Sequence, residues 1–257
     1  MTEIVSAIIL GIVQGITEWL PVSSSGHLVI FEKLFGIEPG VFFNLMLHIS
    51  TLAVVMFVFR SDILDILRAV AKRDFSSESG RLALFVTAGS VPIALAGFFF
   101  ESYITMLFSN LLAVGVALLL TGILLISSKF SYKPSALDYK RSLFVGTFQA
   151  LALVPGVSRS GATISSSLMA GIERKKAVRF SFMLSIPAII GATIFLITRT
   201  SIEAFQLPLF AGMLASLITG YLSLSFLIKL VLERKFYIFS FYCWALGAII
   251  IYLTLIA

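Results

Sequence analysis

A glutamate, three serines and a histidine stand within residues 18–27 of the stretch TEWLPVSSSGHL, in the middle of long apolar runs. Glu18, Ser23, Ser24, Ser25 and His27 are residue types that hold, give or accept protons, and a serine hydroxyl beside a base can serve as a nucleophile. A second polar cluster, PGVSRSGAT at 155–163, adds Ser158, Arg159, Ser160 and Thr163. The planar guanidinium of Arg159 presents a fork of donors that suits phosphate or carboxylate. Free N–H groups at the start of a helix after each cluster favour the same kind of anion, and Gly26 and Gly161 let backbone approach it closely. An ionisable group at membrane depth is costly unless paired or hydrated, so Glu18, His27 and Arg159 read together as one site. Bound anion, base, hydroxyl and arginine clamp are the parts of phosphoryl transfer, where positioning and charge neutralisation supply most of the rate. In this reading Glu18 and His27 manage the proton, and Ser24 or Ser25 is the activated hydroxyl.

Each piece also has a plainer reading. Serine, glycine and threonine are common where membrane helices touch, so the serines alone are expected to be packing residues more often than not. A lone Glu18 or Arg159 could be a side chain reaching for the interface, and a lone His27 a structural hydrogen-bonding group. His48 reads as structural, because Ser185 occupies the matching place in the repeat described below. Arg174, Lys175 and Lys176 read as a topology signal, with contact to lipid headgroups as a lesser role. Only the combination of the two clusters raises the chemical reading above these.

The elements that position the clusters are membrane helices. The chain has 257 residues, 59% hydrophobic and 12% charged, with a mean hydropathy of +1.05, which excludes an ordinary water-soluble core. Its apolar runs are continuous rather than alternating, which excludes a membrane barrel. The net charge of +6 does not point to nucleic acid, because the Lys and Arg residues fall beside the runs, where they set orientation. Residues 1–7 carry Glu3 and no Lys or Arg, so a cleavable signal peptide is not expected. A lone cysteine, Cys243, excludes an internal disulfide and reads as packing.

Six stretches, 41–59, 82–100, 107–128, 180–198, 207–228 and 238–256, are long enough to cross a hydrocarbon layer of about 30 Å at about 1.5 Å per residue. Residues 4–35 and 142–170 are also apolar, but one of the polar clusters breaks each of them into halves too short to span. Sixteen of the nineteen basic residues lie in 60–81, 129–141, 171–179 and 229–237, whereas 101–106 has none and 31–40 only Lys33. These four segments can share the cytoplasmic side only if both broken regions enter and leave the membrane on one face. The expectation is an all-α integral membrane protein, one membrane domain over 1–257, with six transmembrane helices and two re-entrant helix-loop-helix segments. The first re-entrant segment dips in from outside, the second from the cytoplasm, and both termini lie outside.

An internal repeat supports this plan. With LPVSSSGH (20–27) placed over PGVSRSGA (155–162), Val22, Ser23, Ser25 and Gly26 fall on Val157, Ser158, Ser160 and Gly161, and Gln14 falls on Gln149. Downstream, MLHIS (46–50) matches MLSIP (183–187), and Ala88-Gly89 matches Ala211-Gly212. The halves, 1–128 and 142–257, are related by an odd number of crossings and are therefore inverted, so the two serine-rich loops should meet tip to tip. Inverted halves with broken helices are also the plan of a transporter, which makes a transporter or flippase for an anionic lipid or small anion the rival function. Glu18 with His27 favours the enzyme, since transport needs no general base.

On QGITEWLPVSSSGHL (14–28) and PGVSRSGAT (155–163) the sequence resembles the undecaprenyl-diphosphate phosphatase family, the bacitracin-resistance proteins, over nearly the whole chain. The resemblance implies hydrolysis of a C55 polyprenyl diphosphate to the monophosphate at the outer side of the cell membrane, recycling a carrier lipid for cell-wall synthesis. By position, Gln14 takes the variable first place of the family's E/Q-x-x-x-E motif and Glu18 the second. Ser24 and His27 take the serine and histidine of the first loop, and Arg159 the arginine of the second, flanked by Ser158, Ser160 and Thr163. With Ser23, Ser25, Gly26 and Gly161 these form the expected phosphate-binding set. The resemblance also implies a divalent cation, Mg²⁺ or Ca²⁺. With Gln14 in place of a glutamate, Glu18 is the best candidate ligand in the first loop, and the cation is expected mainly on the substrate diphosphate. Expected partners are the polyprenyl diphosphate and bilayer lipid, with a second copy of the chain as a further candidate. SSGH at 24–27 and Ser158-Arg159 are also similar to the acid-phosphatase type of lipid phosphatase, which uses a histidine nucleophile. Ser24, Ser25, His27 and water therefore all stand as candidate attackers.

Overall fold

The structure, a computed structural model, describes residues 3–36, 39–130, 133–199 and 206–256, and every regular element among them is helical. The first half holds α1 (Glu3–Trp19), α2 (Ser24–Phe35), α3 (Gly40–Val58), α4 (Arg60–Ala71), α5 (Glu78–Phe99), α6 (Glu101–Phe108) and α7 (Leu111–Ser127). The second holds α8 (Tyr139–Leu151), α9 (Arg159–Met169), α10 (Arg174–Ile197), α11 (Leu207–Leu232), a 3₁₀ turn at Phe236–Ile238, and α12 (Phe239–Ile256). Four helices, α3, α5, α10 and α11, and the turn joined to α12 are each long and apolar enough to cross a membrane, which makes this a multi-pass integral membrane protein. The ends of the chain expected outside, Met1 and Ala257, lie outside the described residues.

Each polar cluster breaks its apolar run into a helix pair, and the break has a local cause. Pro21 and Pro155 offer no N–H and disfavour helical backbone at the residue before them. The chain restarts where Ser23 Oγ accepts the Gly26 N–H at 3.3 Å, capping α2, and where Ser158 Oγ accepts the Gly161 N–H at 3.1 Å, capping α9. Elsewhere the helices differ from the sequence expectation in three places. The segment 60–81 contains α4, which leaves Leu64 and Leu67 exposed. The segment 101–106 is part of α6 rather than a loop. The span expected from 107 begins at Leu111, because Asn110 Oδ1 accepts the Ala113 N–H at 3.1 Å and the chain turns by 100° between α6 and α7.

The halves are packed crosswise. Helix α1 lies against α11 and its repeat counterpart α8 lies against α5, so each half lends its first helix to the other. Glycines permit both contacts: a Cβ on Gly11 would collide with the Gly212 carbonyl, and one on Gly146 would collide with the Gly89 carbonyl. Gly11 and Gly146 are separated by the repeat offset of 135, so the same close approach is made twice. Helices α7 and α12 close the remaining side, with Gly115 against Gly247. Trp19 of α1, Phe182 of α10 and Phe59 at the end of α3 form a buried aromatic group, with ring centroids 5.5 Å apart for Trp19–Phe182 and 5.3 Å for Phe59–Phe182.

The loops gather into two groups. Arg179 pairs with Asp62 and Glu78 at 2.6 Å each, and the Ser135 N–H donates to the Gly171 carbonyl at 2.9 Å. Phe130, Ser135, Gly171, Arg174, Lys176 and Arg234 line one cavity of about 870 Å³, so all four basic segments meet in one group. In the other group Lys33 donates to the Ser109 carbonyl at 3.2 Å and Arg199 pairs with Glu101. Helices α5 and α10 each run from the first group to the second.

Candidate active site

The two broken helix pairs bring their loops together. A Cβ built on Gly26 would lie 3.3 Å from Gly156 Cα, and one on Gly161 would lie 3.4 Å from Pro21 Cβ. The Gly156 N–H donates to Ser23 Oγ at 3.0 Å, and Gly156 itself has φ of 101°, a conformation glycine adopts without strain. Both loops repeat the same serine pattern: Ser23 and Ser25 hydroxyls are 3.3 Å apart, and Ser158 and Ser160 hydroxyls 3.2 Å apart. Thr121 on α7 ties the second loop down, donating to the Gly156 carbonyl at 2.9 Å and accepting the Ser158 N–H at 3.1 Å.

Glu18 is the centre of the arrangement. Its side chain is 4% exposed, and Arg159 from the other half donates to its Oε1. Its Oε2 accepts from Ser24 Oγ at 2.6 Å and from Gln14 Nε2 at 3.0 Å. The Arg159 guanidinium lies over the Trp19 ring, 5.6 Å from its centroid, and also donates to the Ser185 carbonyl at 3.3 Å. A buried carboxylate with an arginine partner and two further donors is a satisfied ion pair, so Glu18 is ionised and ordered beside the Ser24 hydroxyl. Ser24 and Ser25 are only half-buried, so a ligand can reach them. Helices α2 and α9 both begin at this junction, where the Gly26 and Gly161 N–H groups are taken by Ser23 Oγ and Ser158 Oγ and helix geometry leaves the other first-turn N–H groups without intrahelical acceptors.

Of the residues singled out by sequence, Gln14, Glu18, Ser24 and Arg159 form one connected group, and Ser23, Ser25, Gly26, Ser158, Ser160 and Gly161 form the loop junction beside it. Thr163 is placed differently. It is fully buried one turn into α9, donating to the Arg159 carbonyl at 2.8 Å and hydrogen-bonded to Ser181 of α10. His27 also has other company than expected. Its Nδ1–H donates to the Ser23 carbonyl at 2.8 Å, which leaves Nε2 to accept the Tyr242 O–H at 2.6 Å, and the two rings stack with centroids 5.7 Å apart. The histidine beside Glu18 is His48, whose Nε2 is 3.6 Å from Glu18 Oε2. Tyr242 carried no motif to mark it. His48 has one signal in the sequence, the MLHIS–MLSIP match, and the Ser185 opposite it points there to a structural role. Cys243 is buried as expected, its Sγ 3.5 Å from the Pro21 carbonyl.

The residues present do not make a cation cage. Arg159 already occupies Glu18 Oε1 and two neutral donors occupy Oε2, and no group of three His, Cys, Asp or Glu side chains suited to a metal occurs among the described residues. One buried acceptor, Gln14 Oε1, is without a partner beside this carboxylate.

The family of the chain is shown by comparison with known proteins. The family model described as Bacitracin resistance protein BacA matches residues 7–249. A protein of Korarchaeum cryptofilum named undecaprenyl-diphosphatase is 39% identical over 97% of this chain and 98% of its own length. Proteins of the same name from Methanobrevibacter smithii and Carboxydothermus hydrogenoformans are 40% and 39% identical, each over 96% of both chains. Matched from the first helix to the last, the chain belongs to the bacitracin resistance protein BacA family.

Proposed function

We propose that the chain hydrolyses undecaprenyl diphosphate to the monophosphate and inorganic phosphate, as the names of its relatives describe for them. The observation that carries this reading is the Ser24–Glu18–Arg159 group: a half-buried hydroxyl, an ionised carboxylate 2.6 Å from it and an arginine, brought together from two halves of the chain. Ser24 Oγ attacks the terminal phosphorus while Glu18 Oε2 takes its proton. The Oγ–P bond forms as the bond from that phosphorus to the bridging oxygen breaks, releasing the lipid monophosphate. Glu18 gives that proton to the departing lipid monophosphate and so is a carboxylate again. It then deprotonates a water that attacks the phosphoserine phosphorus, the Oγ–P bond breaks, the proton returns from Glu18 to Ser24 Oγ, and phosphate leaves. Arg159 and the first N–H groups of α2 and α9 neutralise the transferring phosphoryl group. His27, with both nitrogens engaged, orders the first loop rather than moving the proton. A divalent cation enters as part of the diphosphate substrate, since the donor set around Glu18 does not supply a cage.

The finer membrane plan belongs to the same proposal: six crossings, with α1–α2 and α8–α9 as re-entrant pairs of inverted halves. The crosswise glycine contacts support it, and so does the gathering of all four basic segments in one group. That group is cytoplasmic, the Lys33–Ser109 group faces outside, and the site opens outward with the lipid tail in the bilayer. The direct test is purified protein in detergent with a polyprenyl diphosphate and Mg²⁺ or Ca²⁺, measuring free phosphate. Wild type is expected to release it, and Arg159→Lys, which lacks the planar fork, is expected to be slower by about tenfold or more. Binding of the lipid without phosphate release favours the transporter instead.

A further inference from the structure

We propose that His48 is a positioning residue for Glu18, holding the carboxylate on Ser24 while Arg159 turns to the substrate; this rests on the reading of Glu18 as the base. Three observations converge on it. The His48 Nδ1–H donates to the Asn44 carbonyl at 2.9 Å, which fixes the ring so that Nε2 is the nitrogen turned to Glu18 Oε2 at 3.6 Å. With Nδ1–H engaged by Asn44, Nε2 meets the ionised Glu18 as a donor in the imidazolium form of the ring, in which both nitrogens carry hydrogen, and the two groups stand within ion-pair range. The backbone that carries the ring is itself pinned, since Ser216 of α11 donates to the Leu47 carbonyl at 3.3 Å and Thr51 Oγ1 donates to the His48 carbonyl at 2.8 Å.

The inverted repeat gives the same place a matching task on the other side. His48 of α3 and Ser185 of α10 are counterparts in MLHIS and MLSIP. His48 supports Glu18, and the Ser185 carbonyl accepts from Arg159 at 3.3 Å, so each member of the ion pair is braced by the equivalent position of its own half's third helix. The brace on Glu18 is needed when substrate binds. A phosphate oxygen competes for the Arg159 guanidinium, and the carboxylate then loses its strongest partner in a buried place. His48, 31% exposed where Glu18 is 4% exposed, remains as the donor that keeps Glu18 ionised and aligned with the Ser24 hydroxyl.

The test compares His48→Ala, His48→Gln and His48→Asn in steady-state phosphate release, with melting in detergent as the control of folding. Glutamine places an amide N–H where His48 Nε2 stands, whereas asparagine is equally polar but ends short of Glu18. The expected result is a kcat lower by roughly tenfold for Ala and Asn, recovery of most of it in Gln, and KM within about twofold throughout. A kcat unchanged in His48→Ala, equal losses in Gln and Asn, or an effect confined to KM would each overturn the assignment. Should His48→Ala fail to fold, the comparison of Gln with Asn carries the same decision. Failure of the base reading itself is seen separately, as near-normal turnover of Glu18→Gln.

Discussion

Ser23 holds φ at 70°, a left-handed conformation that costs a residue with a side chain about 1–2 kcal/mol. It is held there by its own bonds: its hydroxyl accepts the N–H groups of Gly26 and Gly156, and its carbonyl accepts the His27 Nδ1–H. Such strain is found where neighbouring groups over-determine a conformation, often at functional sites. Here the turn brings Ser24, the first residue of α2, within 2.6 Å of Glu18. His27 locks the turn only while Tyr242 locks His27. Tyr242→Phe removes one hydrogen bond of about 1 kcal/mol and leaves the stacked ring, so a several-fold fall in kcat is expected in the phosphate-release assay, with a melting temperature lower by only about 2–4 °C. A wild-type kcat in Tyr242→Phe would show that the hydroxyl does not order the loop. The sequence made the Ser24, Glu18 and Arg159 group legible because an ionisable side chain in an apolar run needs a reason and a partner. It did not make Tyr242 legible, because its partner lies 215 positions away and a tyrosine near a helix start is ordinary.

At the scale of elements, glycine decides which helices touch. The Gly11–Gly212 and Gly146–Gly89 contacts bring backbone against backbone, where a methyl group meets a carbonyl that cannot move aside. Overpacking of this kind costs about 1–3 kcal/mol, so Gly11→Ala and Gly146→Ala are expected to lower the melting temperature in detergent. Gly191→Ala, whose added Cβ meets nothing within 4 Å, is the matched control and should not. Equal melting of all three variants would count against the crosswise packing. The helices themselves were legible from apolar run length, and the breaks from the polar clusters that interrupt 4–35 and 142–170. The additional helices α4 and α6 were not, because they lie in segments that the count of charges marks as loops. Asn110 shows the same limit: a capping asparagine inside an apolar stretch moves the start of a span by one turn without altering its hydropathy.

At the scale of the molecule, the two halves of the chain build one site from unlike contributions, hydroxyl and carboxylate from the first and arginine from the second. At the offset of 135, position 18 is Glu where 153 is Leu, and position 159 is Arg where 24 is Ser, so the two clusters share their serine and glycine positions and differ in their charged residues. The proposed orientation is open to a labelling test. A cysteine introduced for Tyr103, 70% exposed, is expected to react with an impermeant thiol reagent from outside intact cells, and one introduced for Ser76 only after the membrane is opened. Native Cys243 is fully buried and does not interfere. The reverse pattern would invert the topology. The central claim, that Ser24 attacks with Glu18 as its base, is tested most directly by acid-quenching turnover of polyprenyl diphosphate and locating enzyme-bound phosphate by peptide mass spectrometry. The account predicts phosphate on Ser24, lost in Ser24→Ala together with turnover reduced by roughly 10³-fold or more. Phosphate on His27, or near-normal turnover in Ser24→Ala, would contradict it.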